Sequence, residues 1–306
     1  MTGSNSLAFA RALVATNLKA TLALRGAFVL QVVFMALNNF TFFVFWWVLM
    51  RRVTTLRGWQ LADVQLLFGL VAVSFGLTVT VAGGVRHLGR LIEDGDLDTL
   101  LTQPRSVLVY ALGIRSQPSG VGDLISGLIF IAASREVAWH TLPLLLAALF
   151  ASAVVLVACG IAFFSLAFWL GNVETMSRQL WELLITFSLY PEPLFGGVLR
   201  LALFTVLPAG FVGYLPVRVV HAPSVPLVCL LVLGASAYLG LAVLMFDRGL
   251  RRYASGSRFS TFGCVGRGTL ARSNWRSSSP GSWSGLAGER AHLARHLHTL
   301  RFGVFC

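Results

Sequence analysis

TLPLLLAALFASAVVLVACGIAFFSLAFWL, Thr141–Leu170, carries no charged residue and no polar residue stronger than Ser, Thr or Cys. A helix rises 1.5 Å per residue, so this run is more than long enough to cross a hydrocarbon core of about 30 Å. The run is continuously apolar and does not alternate. That selects a membrane helix over a strand of a membrane barrel. The rest of the chain agrees with it. Of its 306 residues, 56% are hydrophobic and 12% charged, with a mean hydropathy of +0.77. A soluble domain carries about 25% charged residues. The fold class expected is therefore all-α integral membrane, with about six transmembrane helices.

Outward from Thr141–Leu170, Gly26–Met50 is also charge-free and ends in Trp46-Trp47 and Arg51-Arg52, an aromatic belt followed by a basic flank. Val64–Val85 is the second expected span. Gly76, Thr80 and Gly84 in it repeat at four-residue spacing, which permits close helix packing. Tyr110–Ala133 is the weakest, because Arg115, Pro118 and Asp123 make its first part polar. Trp181–Tyr190 is apolar but short. Tyr190-Pro-Glu-Pro193 interrupts it, and Leu201–Leu215 resumes before breaking at Pro208. Val219–Phe246 is the last span. The count is six if 180–217 cross once with a broken, partly re-entrant element, and seven if they cross twice.

Six spans put both termini on one side, together with the arginines near the N-terminus, in 86–105, at Arg178 and at 248–252. The positive-inside bias makes that side cytoplasmic. Residues 5–24 have apolar positions at helical spacing around Arg11, Asn17 and Lys19. They read either as an interfacial amphipathic helix or as the basic flank of the first span. No cleavable signal peptide is expected in residues 1–25.

Net charge is +12, which in a membrane protein points to arginines facing anionic lipid headgroups and not to nucleic acid. Lys19 is the one lysine and has no glycine loop before it, so no Walker-type ATP site is expected. Cys159, Cys229, Cys264 and Cys306 have neither metal nor redox spacing. HExxH and GxSxG are missing. No catalytic residue, metal site or cofactor is assigned to the chain. Residues 257–306 hold seven arginines, one acid and no apolar run, and read as a disordered tail or an out-of-frame extension. An RNA-binding arm lacks the recurring aromatic and basic platform it would need. The domains are thus 1–256, the transmembrane domain, and 257–306, the basic Ser/Gly/Arg-rich tail.

Four of the twelve carboxylates, Glu93, Asp94, Asp96 and Asp98, fall within six residues, interleaved with Leu91, Ile92, Leu97, Leu100 and Leu101 and followed by Pro104. One reading is a docking element for a cytosolic partner, its leucines entering a groove and its acids meeting a basic rim. Gly95 would supply a turn between two short pieces. The plain alternative is a solvated loop.

The stretch Glu93–Pro104 resembles the "GELD-x-LL-x-P" stretch of type-2 ABC exporter permeases, with Asp96 where Glu is usual. Tyr190-Pro191, Phe195-Gly196-Gly197 and Leu207–Pro216 are similar to that family's "YP…F.G…P.AF..Y.P" region. Gly249–Gly256 is similar to its closing "GL-x-x-Y-x-S-G". The resemblance spans about residues 5–257. The region Ile114–Asp123 departs from a clean hydrophobic helix.

This resemblance implies that Leu91, Ile92, Glu93, Asp94, Gly95, Asp96, Leu97, Asp98, Leu100, Leu101 and Pro104 form a cytoplasmic coupling helix. It would touch a separate ATP-binding-cassette ATPase subunit, which carries ATP and Mg. A second permease subunit, identical or similar, is implied as well, and export across the bacterial inner membrane. Tyr190, Pro191, Phe195, Gly196, Pro208, Tyr214 and Pro216 would form an outer gate; the plain alternative is an extracellular loop with a kinked span. Asn38 and Asn39 lie mid-span and face either a translocation path or a neighbouring helix. Asp123 and Arg115 read either as a pair within one bundle or as two separate residues at the membrane interface. A secondary transporter or a non-transport membrane scaffold is the rival reading.

Overall fold

The computed structural model describes residues 3–52, 55, 57–103 and 106–253. Pro104 and the tail 257–306 lie outside them. The described residues are mostly helical, with no strand among them. In chain order the helices are α1 (Gly3–Ala23), α2 (Arg25–Arg52), α3 (Leu61–Val81), α4 (Leu88–Glu93), α5 (Leu97–Leu101), α6 (Val107–Gly113), α7 (Ser119–Ser134), α8 (Leu142–Ser165), α9 (Ala167–Leu170), α10 (Glu174–Leu189), α11 (Gly197–Thr205), α12 (Leu215–His221) and α13 (Val225–Arg252). This is an all-α membrane protein. Four helical stretches, α2, α3, Trp139–Leu170 and α13, are long and apolar enough to cross a bilayer.

Three sequence expectations shift. The second span ends at Val81 and not Val85, because Gly83–His87 tighten into a 3₁₀ turn. The last span begins at Val225 and not Val219. Residues 219–221 close α12, and Ser224 and Pro226 start a new helix. The third expected span, Tyr110–Ala133, is divided by a break at 114–118 into α6 and the 16-residue α7.

The apparent weakness of α7 has a packing cause. It lies antiparallel to α3 with glycines in register. A Cβ on Gly76 would come within 2.6 Å of the Gly120 carbonyl, and one on Gly127 within 2.9 Å of the Gly69 carbonyl. Gly69 and Gly76 thus face Gly127 and Gly120, seven residues apart on each helix. The two backbones approach as closely as membrane helices with small interfaces do. Of the three small residues expected to allow close packing, Gly76 and Thr80 meet α7 at Gly120, and Gly84 instead packs on α6. Gly69, Gly120 and Gly127 were not singled out in the sequence.

On its other side α7 meets α2. Asn39 Nδ2 donates to Asp123 Oδ1 and to Ser126 Oγ, both at 2.8 Å. Asp123 therefore pairs with Asn39 and not with Arg115. α8 completes the core. Gly160 lets the indole of Trp181 on α10 lie against it, and Trp181, Leu156 and Phe164 are fully buried.

The bundle has two ends. One carries α4, α5, α9, the start of α10 and the end of α13, with Arg86, Arg90, Arg115, Arg178 and Arg248–Arg252. The opposite end carries Arg57–Gln60, Arg135, the 190–196 turn and the end of α12. α10 joins the two. Its first residue bonds Arg90, and just past its last residue Tyr190 packs edge-on against Trp46 of α2, with ring centroids 5.6 Å apart. α11 and Gly210–His221 are bent by 77° to one another. Both limbs of this pair sit at the opposite end: Arg57 reaches the Pro193 carbonyl before α11, and His221 after it reaches Asp63 and Glu136. The element enters the bundle and returns to the same end, so it adds no crossing to the four stretches long and apolar enough to span a bilayer.

Candidate functional site

The acid-rich segment folds as two short helices at the arginine-rich end. α4 stops at Asp94, and Gly95 takes φ +79°, the left-handed conformation that a side chain would resist. α5 follows, with Thr99 Oγ1 donating to the Asp96 carbonyl. The apolar positions do not all face outward. Leu88 and Leu97 are fully buried, and Ile92 and Leu100 are 6% exposed; all four belong to the chain's main core. Leu97, Leu100 and Ile92 are therefore spent on seating the segment and cannot enter a partner's groove, contrary to the sequence expectation. The surface left to a partner is Asp94, Asp96, Thr99, Leu101 and the adjoining Thr102 and Gln103, with Leu91 and Asp98 half-buried.

Glu93 has a role the sequence did not disclose. Its Oε1 accepts the backbone N–H groups of Val173 at 2.8 Å and Glu174 at 3.1 Å, at the very start of α10. A carboxylate there satisfies orphan donors and meets the positive end of the helix dipole. Arg90 adds a second tie, its Nε shared by both Glu174 oxygens at 2.8 Å. Arg178, one turn on in α10, bonds the same carboxylate. α4 is thus fastened to α10 by backbone and side chain together. A cleft of about 650 Å³ opens beside it, bordered by Glu93, Asp94, Gly171, Asn172, Arg252 and Tyr253.

Behind α4 lies a basic cluster. Burial first, and then the guanidiniums of Arg115, Arg90, Arg86 and Arg178, hold the His87 imidazole below its ordinary range. Burial and Arg178 likewise lower Arg86, which donates to Gln117 at 3.2 Å.

At the opposite end the expected gate residues are partly gathered. Phe187, Phe195 and Tyr214 form a ring cluster, and the Tyr214 hydroxyl donates to the Phe187 carbonyl. Pro191, Pro208, Tyr214 and Pro216 are buried, Tyr190 lies apart against Trp46, and Gly196 is exposed. The backbone that needs glycine is Gly197, at φ +56°. The sequence reading passed over Glu192. It is 4% exposed, and its Oε1 accepts from Arg200 of α11 and Arg218 of α12, each at 2.7 Å. One carboxylate therefore clamps both limbs of the bent pair to the end of α10.

Of the two mid-span asparagines, Asn39 is committed to Asp123 and Ser126, while Asn38 is exposed on α2 with no described partner. No group of three His, Cys, Asp or Glu residues able to hold a metal occurs among the described residues.

The arrangement is that of a multi-pass membrane subunit with a short helix pair at one end and a re-entrant pair at the other. The model of the ABC-2 family transporter proteins matches residues 36–257, and the chain belongs to that family. It is a permease component of an ABC transporter. Neither a curated protein nor a solved structure matches the chain.

Proposed function

We propose that this chain is the permease of a bacterial exporter that moves its substrate outward using ATP hydrolysed by a separate subunit. The observation that carries this reading is the α4–α5 pair, seated on the core by four buried apolar side chains and fastened to α10 through Glu93 and Arg90. A push on Asp94, Asp96 or Leu101 reaches the start of α10 through short hydrogen bonds. α10 ends beside Glu192, the clamp on the re-entrant pair. Closure of an ATPase dimer would thereby act on the far end, where Tyr190, Pro191, Phe195, Pro208, Tyr214 and Pro216 close the exit. The arginine-rich end faces the cytoplasm of the inner membrane, with both flanks of the bundle on that side. A second permease and lipid share the apolar faces of α2 and α13, and Asn38 faces the path between the permeases.

Affinity purification from membranes of the source cell tests the reading. An ATP-binding-cassette subunit should come down with the permease, and Leu101→Arg should lose it while the permease remains folded. A permease that purifies alone, with Leu101→Arg transporting normally, sinks it. Sidedness is read by cysteine labelling: Asp94→Cys should react only after the membrane is opened, and Leu194→Cys from outside.

One observation favours the rival secondary transporter. Asp123 is a buried carboxyl between α2, α3 and α7, where such transporters keep coupling groups. In the exporter reading it is a packing group, so Asp123→Asn should keep ATP-dependent transport.

A further inference from the structure

Two cavities meet on the arginine-rich side of α2 and share Gln31 and Ser119. The first, about 370 Å³, is the more polar of the two. It is bordered by Asn17 of α1, His87, Arg115, Ser116 and Gln117, with no acid in its lining. The second, about 400 Å³, is apolar and runs along Leu30, Phe34 and Met35. Its shape follows from helix packing. α2 and α7 touch tightly at Gly122, where a Cβ would come within 2.5 Å of the Val32 carbonyl, and a wedge opens toward Ser119.

This first chamber is short of negative charge. Among the described residues Arg115 forms no ion pair, and the Ser116 hydroxyl is buried without a partner. His87 is held toward its neutral form, which leaves Arg115 as the cation of the chamber. A guanidinium and a hydroxyl donor at the mouth of an apolar groove match a phosphate diester joined to an acyl chain. The groove also opens on the lipid-facing side of α2, where Leu30 and Phe34 are more than half exposed.

We propose that the two cavities form one site for an anionic phospholipid of the surrounding leaflet, its phosphate on Arg115 and its acyl chain between Leu30, Phe34 and Met35. The site requires neither an ATPase nor a direction of transport, so its test is separate from that of the exporter reading. The full chain is placed in nanodiscs of equal parts phosphatidylglycerol and phosphatidylcholine, extracted in neutral detergent, and its retained lipid counted by native mass spectrometry. Phosphatidylglycerol should be retained over phosphatidylcholine. Arg115→Gln should reduce that retention about tenfold, the scale of one charge-assisted contact. Arg251→Gln, at the same end on α13, should leave it unchanged. Ser119→Trp, which blocks the junction of the cavities, should reduce it with Arg115 intact; a melting curve on each variant separates lost binding from lost folding. Equal retention of the two lipids, retention indifferent to Arg115→Gln in a folded protein, or displacement of the lipid by inorganic phosphate alone would each overturn the proposal.

Discussion

α2 and α3 are nearly equal in hydropathy, yet they occupy different solvents. Only 6% of the apolar stretch of α2 is buried in the protein, against 72% of that of α3. The difference lies in what each offers a neighbour. α3 carries Gly69 and Gly76 seven residues apart and meets glycines at the same spacing on α7. α2 carries Val29, Leu30, Val33, Phe34 and Leu37, all more than half exposed, and one useful polar contact at Asn39. Lipid is as apolar as leucine, so greasiness drives insertion but not helix association. Close backbone approach and buried hydrogen bonds decide which helix becomes core. The same contrast recurs within α5, where Leu97 is fully buried and Leu101 is 46% exposed.

The strongest way to break the comparison is to make the core helix resemble the lipid-facing one. Gly76→Leu places a side chain against the Gly120 carbonyl and Asp123 Cβ, at 2.6 and 2.8 Å from the Cβ alone. We expect a loss of about 3 kcal/mol or more. The variant should insert but not elute as a monodisperse protein, and a normal elution profile would show that α3 and α7 can part cheaply.

Next comes Leu97→Arg, which puts a charge at a fully buried position at a cost of several kcal/mol. It should unfold the α4–α5 pair. Leu101→Arg, four residues on, should fold and lose only ATPase capture. If both variants fold and both lose the ATPase, the division of α5 into a seated and a presented face is wrong.

Glu93→Ala should cost about 1–2 kcal/mol, the worth of a helix cap. The signature is local: faster amide exchange at 173–176, with the rest of α10 still protected. Unchanged exchange there would remove the tie between α4 and α10.

Asn39→Ala should cost about 0.6–1.7 kcal/mol, the range of hydrogen bonds between membrane helices. Asn38→Ala should leave melting unchanged and alter transport alone if Asn38 faces the path. The smallest effect belongs to Leu37→Ala on the lipid-facing side, within about 0.5 kcal/mol; a larger loss would reveal protein, not lipid, against that face.

Much of this architecture was legible before the fold was known. The charge-free runs, the aromatic and arginine flanks, the broken region around Tyr190–Pro216 and the turn at Gly95 all depend on neighbours within a few residues, and composition over such windows reports them. Where the reading faltered, it faltered on α7 and on the acidic segment, for one reason. Gly, Ser and Asp on α7 look like a poor span until α2 and α3 cover them. Leucines at 97 and 100 look available until the core claims them.

The chain alone determines that this is a helical membrane protein with its acids concentrated in one connection, because hydropathy and charge add locally. Only the tertiary structure decides which polar groups meet. Glu93 finds Val173 eighty positions away, Asn39 finds Asp123 eighty-four away, and Glu192 gathers two arginines from separate helices. Such pairs are made by antiparallel packing that brings distant turns to the same depth. Glu192 then takes two donors at its depth and Asp123 takes Asn39 on one oxygen, since a carboxylate with no donor at all would be too costly to bury.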